Sequence, residues 1–273
     1  MEVDTLNDSY YVIMWLRDVG ILEKVTCHDE EMKVIQNTQK VDGWVLRCDR
    51  CRQQYSVRKK SIFFQFKISI LHIYRIVFRY FMDNQTIAVT AEQTQNNKKT
   101  ISRIYQLLHN QISFYMPMWR DDIIFNSDCE VDEIKYASID NKEVKCFGIY
   151  NFTSKKCLLF VLEDTLNTTL LPIIQRHISN NCTVYSQKFL PLPNYHKLKG
   201  KSFFSQYWAE LKKESGLSTG IKFKKIQDIE QKLLVGAWFI ETKNEDRRKS
   251  LLEALEECRQ LNPLFEVLER EDD

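Results

Sequence analysis

The sequence is poor in glycine and proline and has no long uninterrupted apolar run. Seven glycines and five prolines in 273 residues exclude a collagen-like chain and a disordered chain rich in these residues. The most apolar stretch, FFQFKISILHIYRIVFRYFM, is interrupted by Lys67, His72, Arg75 and Arg79, which makes it unsuitable as a membrane span. We therefore expect a folded globular protein with no membrane partner.

The N-terminal residues also lack the basic region and apolar core of a secretory signal peptide. The eight cysteines are accordingly interpreted as reduced thiols or metal ligands rather than as disulfides. A chain of this length can bury one large core or two to three small ones.

Positive charge is unevenly distributed, although the formal net charge is only +2. Between residues 58 and 110 the acidic residues are Asp83 and Glu92, whereas residues 266–273 are mostly acidic. The bases of that segment are Arg58, Lys59, Lys60, Lys67, Arg75, Arg79, Lys98, Lys99 and Arg103. A basic block of this kind favours a polyanionic partner, and the alternative is a solvated helical face.

Changes of apolar period predict the order of helices and strands. A helical pattern ends at Gly20, and short strands with a turn at Asp42-Gly43 follow. From residue 128 apolar and polar residues alternate, which predicts strands, and a helix and a further strand follow. Helices are predicted at 69–82, 86–95, 98–114, 165–178, 203–215, 226–241 and 246–260. The predicted fold class is α+β and multidomain, with segments 1–23, 24–57, 58–118, 119–242 and 243–273.

A cysteine knuckle follows the turn at Asp42-Gly43. Cys48 and Cys51 have C-x2-C spacing, and Cys27 and His28 precede them as an adjacent pair. Zinc favours four thiolate or imidazole ligands in a tetrahedron, usually from two knuckles, but adjacent residues rarely both reach one ion. Two interpretations stay open: a structural zinc on Cys27, His28, Cys48 and Cys51, or a zinc-ribbon fold held by its hairpin core with vestigial thiols.

The segment TIAVTAEQTQNNKKTISRIYQLLHN has the form of a helix-turn-helix. Its second helix is predicted to pack Ile101, Ile104, Leu107 and Leu108 inward. The outward residues predicted to contact DNA are Lys98, Lys99, Thr100, Ser102 and Arg103. Arg58, Lys59, Lys60 and Lys67 are predicted to contact phosphates. The same geometry also occurs in purely structural packing.

The strand CEVDEIKY carries two adjacent acids. Because side chains alternate along a strand, one of Asp132 and Glu133 points toward a site or core and the other points away. Metal-dependent phosphoryl transfer uses carboxylates on such strands to hold two divalent ions. A surface-facing or salt-bridged acid is the alternative interpretation.

Taken together, these segments resemble a Merlin-type DDE transposase, related to bacterial insertion-sequence transposases of the same superfamily. The resemblance is carried by MKVIQNTQKVDGWVLRC, SVRKKSIFFQFKISILHI, CEVDEIKY, FGIYN, LEDTLNTTLLPIIQRHI and YWAELKK. It implies a zinc ribbon, a helix-turn-helix and an RNase H-like domain that cuts and joins DNA with Mg²⁺. It spans nearly the whole chain.

The resemblance also implies that the catalytic triad is degenerate. Asp132 matches the family's first aspartate, but Gln187 stands at the second and Ser205 at the glutamate. The ribbon has changed as well, since Val25 and His28 align with the family's first two cysteines. One carboxylate of three cannot hold two divalent ions, so no Mg²⁺ cofactor and no transposase activity are expected.

The sequence thus predicts a nuclear, transposase-derived protein that binds double-stranded DNA or chromatin without cutting it. Two alternatives stay open. One is a scaffold that recruits a nuclear protein partner through the inactive RNase H-like domain, and the other is a nuclease with a rearranged metal site. A homodimer is compatible with the sequence.

Overall fold

The computed structural model describes residues 8–139, 142–162, 164–188, 190–215, 225–242 and 246–261. This part of the chain is mixed α and β. The chain divides into two units, residues 1–111 with 245–273 and residues 112–244. The acidic residues 266–273 lie outside the described residues.

The first unit begins with helix α1, Ser9–Asp18. The side chain of Asp8 accepts a hydrogen bond of 2.7 Å from the backbone N–H of Tyr10, which satisfies one of the donors left open at a helix start. Gly20, at φ +80°, follows the helix end, as the sequence predicts. The apolar face of α1 is buried through Val12, Ile13 and Leu16.

Short antiparallel strands follow α1. One hairpin pairs β1, Thr26–Cys27, with β2, Glu30–Glu31. A three-stranded sheet then has the order β3-β4-β5. Its strands are Lys33–Gln36, Trp44–Arg47 and Gln54–Ser56. Gly43, at φ +73°, lies in the turn between β3 and β4 that the sequence predicts.

A buried ion pair fixes that turn to the chain that follows the sheet. Asp42 Oδ1 and Oδ2 accept hydrogen bonds of 2.6 and 2.8 Å from the Arg58 guanidinium. Asp42 also accepts the backbone N–H of Ile70 at 2.7 Å, and Arg58 donates to the carbonyl oxygen of Phe66 at 2.6 Å. Arg58 is 4% exposed and Asp42 7% exposed, so both charges depend on these partners for compensation.

Helices complete the first unit. Helix α2, Ile70–Arg75, continues as a π-helical segment, Ile76–Phe81. Helices α3, Ile87–Thr94, and α4, Lys98–Asp121, follow. Their starts agree closely with the predicted ones, whereas α4 extends beyond the predicted end. The left-handed backbone of Gln95, at φ +55°, ends α3. The residues of α4 from 112 onward are grouped with the second unit.

The second unit is built on a five-stranded sheet of order β10-β9-β6-β7-β8. Strands β6, β7 and β8 form an antiparallel meander, while β9 is parallel to β6 and β10 is parallel to β9. The strands are Cys129–Ile139, Lys142–Asn151, Cys157–Leu162, Val184–Ser186 and Tyr195–Lys197 for β6 to β10.

The two faces of this sheet are used differently. Val131 and Ile149 belong to a buried apolar cluster together with Ile174 of helix α5, Asn167–His177. The alternate residues of β6 and β7 face helix α6, Phe203–Glu214. A Cβ built on Gly148 of β7 would lie 1.9 Å from the ring of Phe204. Glycine at this position therefore lets α6 lie closer to the sheet than any other residue would permit. Helix α7, Ile226–Glu241, also belongs to this unit, and helix α8, Asp246–Leu261, to the first.

Candidate metal centre and candidate nucleic-acid interface

Four metal-ligating side chains meet at the β1–β2 hairpin and the knuckle after β4. The ligand atoms of Cys27, His28, Cys48 and Cys51 all lie within 4.8 Å of one another. The Sγ atoms of Cys27 and Cys51 are 3.7 Å apart, and His28 Nδ1 is 3.6 Å from Cys48 Sγ. A tetrahedral site with metal–sulfur bonds of about 2.3 Å has a sulfur–sulfur edge of about 3.8 Å. The four side chains could therefore bind one metal ion.

The backbone of the hairpin explains how two neighbouring residues reach the same cluster. His28 and Asp29 have φ values of +55° and +64° and form the two-residue turn between β1 and β2, as in a type I′ hairpin. Cys27 Sγ and His28 Nδ1 lie 3.2 Å apart. This corrects the expectation that the adjacent pair would not reach one ion. Val25, which the resemblance aligns with a cysteine, is buried, and the thiol in the cluster is that of Cys27.

The pKa values of Cys27 and Cys48 are shifted in opposite directions. The backbone hydrogen bond from Cys51 lowers the pKa of Cys48 to about 6, although burial opposes the shift. Burial, followed by hydrogen bonds with the neighbouring thiols, raises the pKa of Cys27 to about 11. Thiolates are the metal-binding form of cysteine, and a bound cation deprotonates a coordinating thiol. The Cys48 thiol therefore ionises readily at neutral pH, whereas the Cys27 thiol would ionise on binding a cation.

The second candidate site is the start of helix α4, here called the α4 face and defined by Lys98, Lys99, Thr100, Ser102 and Arg103. Asn97 precedes the helix, and its side chain accepts the backbone N–H of Lys99 at 2.8 Å. Ile101, Ile104 and Leu108 are 0% exposed. Thr100 is half-buried and the other four members of the α4 face are exposed, as the sequence predicts.

The charges of the α4 face oppose helix stability. The first turn of α4 contains Lys98 and Lys99 and no acidic residue. A helix N-terminus carries positive partial charge, so each cation there costs about 0.3–1 kcal/mol relative to a cation at the other end. The same dipole and the open N–H groups favour a bound phosphate. The arrangement is therefore better suited to binding an anion than to stabilising the helix.

The other predicted phosphate contacts have different environments. Lys67 is exposed. Lys60 Nζ lies 3.8 Å from the Glu23 carboxylate, and Lys59 Nζ lies 3.4 Å from the ring centroid of Tyr55. The prediction that Arg58 contacts a phosphate is wrong. Its guanidinium is buried against Asp42 and backbone carbonyls, and it is not accessible to a phosphate. Arg58 therefore does not belong to the candidate interface.

The three positions that the resemblance aligns with a catalytic triad lie on the second unit. Glu130 of β6 pairs with Tyr185 of β9 in parallel register, and Gln187 follows the end of β9 at Ser186. Asp132 is two residues beyond Glu130 and therefore lies on the side of the sheet that faces α6. Ser205 lies in the first turn of α6, with its side chain exposed. Asp132 and Gln187 therefore follow the paired residues Glu130 and Tyr185 along neighbouring strands. Ser205 lies on α6, whose Phe204 ring packs against Gly148, the partner of Asp132 in β7.

Asp132 and Glu133 occupy different environments, as their alternation predicts. Asp132 Oδ1 accepts the backbone N–H of Glu133 at 2.8 Å, and burial raises the pKa of Asp132. Glu133 forms ion pairs with Lys188 and, at 3.8 Å, with Lys145. Burial opposes ionisation of Glu133, but these lysines and a hydrogen bond with Thr165 lower its pKa. Glu133 is therefore the salt-bridged acid of the pair.

Glu130 is an important residue that sequence reasoning missed. Its side chain is 0% exposed and receives the start of α6 through the Ser202 hydroxyl and the backbone N–H of Phe203, the latter at 2.8 Å. A carboxylate at a helix N-terminus is stabilised by the open N–H groups. Alternation places Glu130 on the same side of CEVDEIKY as Asp132, but the sequence does not show that this side receives α6.

Comparison with protein-family models and with curated proteins finds no match to this chain. Among the described residues, no helix combines the length and the apolar character needed to cross a bilayer.

Proposed function

We propose that the protein is a nuclear, transposase-derived protein that binds double-stranded DNA through the α4 face and does not cut it. The observation that carries the proposal is the cluster of exposed cations Lys98, Lys99 and Arg103 at the start of a helix whose opposite side is buried. The preceding helix, the Gln95 turn and α4 have the order of a helix-turn-helix. A helix presented in this way can enter a major groove with its N-terminal side chains leading.

The second unit supports a transposase origin. A three-stranded meander followed by a helix and two parallel strands, in the order β8-β7-β6-β9-β10, is the arrangement of RNase H-like domains. The resemblance aligns Asp132, Gln187 and Ser205 with the family triad. An amide and a hydroxyl beside one carboxylate do not fit two Mg²⁺ ions, which need anionic oxygens to offset their charge. We therefore derive no catalytic step through this site.

We further propose that the cluster of Cys27, His28, Cys48 and Cys51 holds a structural zinc. The distances between its ligand atoms fit a tetrahedral ion. All four coordination positions would be filled by protein, which is the arrangement of structural rather than catalytic zinc. The ion would supply no reaction chemistry and would cross-link the β1–β2 hairpin to the knuckle after β4.

The experiment that tests DNA binding compares the full-length protein with the variant Lys98→Ala/Lys99→Ala/Arg103→Ala on duplex DNA. We expect fluorescence anisotropy at low salt to show at least a tenfold loss of affinity, because the variant loses its principal phosphate-contacting cations. Lys212→Ala/Lys213→Ala/Lys249→Ala, on exposed parts of α6 and α8, is the matched control and should retain binding.

The same comparison separates DNA binding from the scaffold alternative. A wild-type protein that fails to bind duplex DNA at low salt would contradict the proposal, as would a triple variant that binds like the control. Retention of a protein partner by the triple variant, together with unchanged duplex affinity, would favour the scaffold function.

A further inference from the structure

A line of aromatic rings crosses one side of the second unit. His196, Tyr185, Phe152, Phe203 and Tyr150 contact one another in that order, with ring centroids 5.9, 5.6, 5.4 and 6.1 Å apart. The Phe203 and Tyr150 rings are parallel to within 8°. We call these five residues the aromatic row.

The register of the sheet creates this row. Glu130 of β6 pairs with Tyr150 of β7 on one side and with Tyr185 of β9 on the other, and Tyr185 pairs with His196 of β10. Phe203, the first residue of α6, is positioned by the hydrogen bond from its backbone N–H to Glu130. The Glu130 carboxylate is fully buried beneath this contact, so its charge is compensated within the fold.

The row is accessible rather than part of the apolar core. Phe203 is 48% exposed, His196 is exposed, and Tyr150, Phe152 and Tyr185 are half-buried. A flat ligand that covers an accessible run of aromatic rings removes much apolar surface from water, which favours its binding. Core packing alone therefore does not account for it.

Lysines flank the aromatic row. Lys197, Lys199 and Lys201 alternate along the segment that leads from β10 to α6, and all three are exposed. Lys155, also exposed, and Lys156 lie in the β7–β8 hairpin at the other end of the row. Aromatic rings that are at least partly exposed and bordered by cations match the two parts of a single-stranded nucleic acid, its bases and its phosphates.

A cavity of about 360 Å³ lies at the Tyr150 end of the row. Its lining includes Phe203, Lys155, Gln206 and Glu241. Glu241 Oε1 accepts the backbone N–H of Cys157 at 3.3 Å and the Tyr207 hydroxyl at 3.5 Å. Burial, opposed by this backbone hydrogen bond and by Lys156, raises the pKa of Glu241 to about 7. A carboxyl that is partly neutral at physiological pH repels phosphate less and can hydrogen-bond a base edge.

We propose that the aromatic row and its flanking lysines form a second nucleic-acid site, which binds a single-stranded segment with one base seated in the cavity. This site is separate from the α4 face in sequence and in ligand geometry, since unpaired bases stack on rings whereas a duplex does not expose its base faces. The inference goes beyond the proposed duplex binding and does not depend on it.

The test uses the full-length protein carrying Lys98→Ala/Lys99→Ala/Arg103→Ala, so that the α4 face does not contribute. Binding of a labelled thymidine oligomer is measured by anisotropy before and after adding Phe203→Ala. We expect roughly tenfold weaker binding on loss of one stacking ring. Phe203→Trp should restore binding, and Phe114→Ala, at a ring of similar exposure, 46%, should leave it unchanged.

Salt dependence provides an independent readout. Lys197→Ala/Lys199→Ala/Lys201→Ala should reduce the slope of log affinity against log salt by about 2, because each phosphate contact to a single strand contributes about 0.7. A uridine oligomer and a deoxyuridine oligomer are measured beside the thymidine one, and tight binding of any of them supports a single-strand site. Because the first two differ only in the 2′-hydroxyl, their relative affinities identify the preferred sugar.

Two results would overturn the inference: Phe203→Ala binding within about twofold of its parent, or an equal loss with Phe114→Ala. Neither result affects the proposed duplex binding, which the α4 variants test separately. Conversely, intact single-strand binding with no duplex binding would retain this site and reject the proposed function.

Discussion

At the scale of single residues, burial decides what a charged side chain does. Arg58 is the first residue of the basic block in the sequence, yet it is 4% exposed and paired with Asp42. Lys67, nine residues later, is exposed. The local excess of basic residues predicts that both Arg58 and Lys67 contact a polyanion. The structure shows that Arg58 is buried and Lys67 is accessible.

The buried pair predicts a large effect on stability. Arg58→Met leaves the Asp42 carboxylate buried without its principal partner, which typically costs 3–5 kcal/mol. We expect urea denaturation to show a loss of this order in the free energy of unfolding of the first unit. Lys67→Met, at an exposed position, should change it by less than about 0.5 kcal/mol. Equal stability of the two variants, with DNA binding lost only in Arg58→Met, would show that Arg58 is a contact residue after all.

At the scale of helices and strands, much of the fold could be predicted because local patterns determine it. Apolar residues spaced three to four apart predicted α3 and α4, and Asp42-Gly43 predicted the turn before β4. The chain pattern did not reveal the closeness of Cys27 and His28 to the knuckle, because it depends on two positive φ values at His28 and Asp29. The row from Tyr150 to His196 depends on strand register, which residue spacing does not specify.

The β1–β2 hairpin and the knuckle predict a measurable metal dependence. Protein refolded with zinc should retain about one ion per chain after desalting, measured by inductively coupled plasma mass spectrometry, because four ligands fill a structural site. Cys48→Ser should lose the ion, since it removes a ligand whose thiol pKa is lowered to about 6. Cys182→Ser, a buried cysteine of the second unit, serves as the control and should retain it.

An absence of zinc in the refolded wild-type protein would contradict the metal assignment. Retention of the ion by Cys48→Ser would do so equally. In either case the hairpin core alone would hold this part of the chain.

At the scale of the whole molecule, the two units carry different parts of the proposed function. The first contains the candidate metal centre and the α4 face, and the second contains the sheet with Asp132 and Gln187 and the aromatic row. Changes of apolar period and of charge in the sequence predicted the order of the helices, the strands and the basic segment, but not the aromatic row. It could not predict Glu130 as the anchor of α6, because that contact joins residues separated by more than seventy positions.

The most direct test of the central claim is one gel-shift experiment with labelled supercoiled and linear duplex DNA in Mg²⁺ or Mn²⁺, with binding and strand cleavage measured on the same samples. We predict a shift that weakens steeply as salt rises, because phosphate contacts release counterions, and no nicked or linearised product. Either no shift at low salt, or nicking that Asp132→Ala abolishes, would contradict a protein that binds DNA without cutting it.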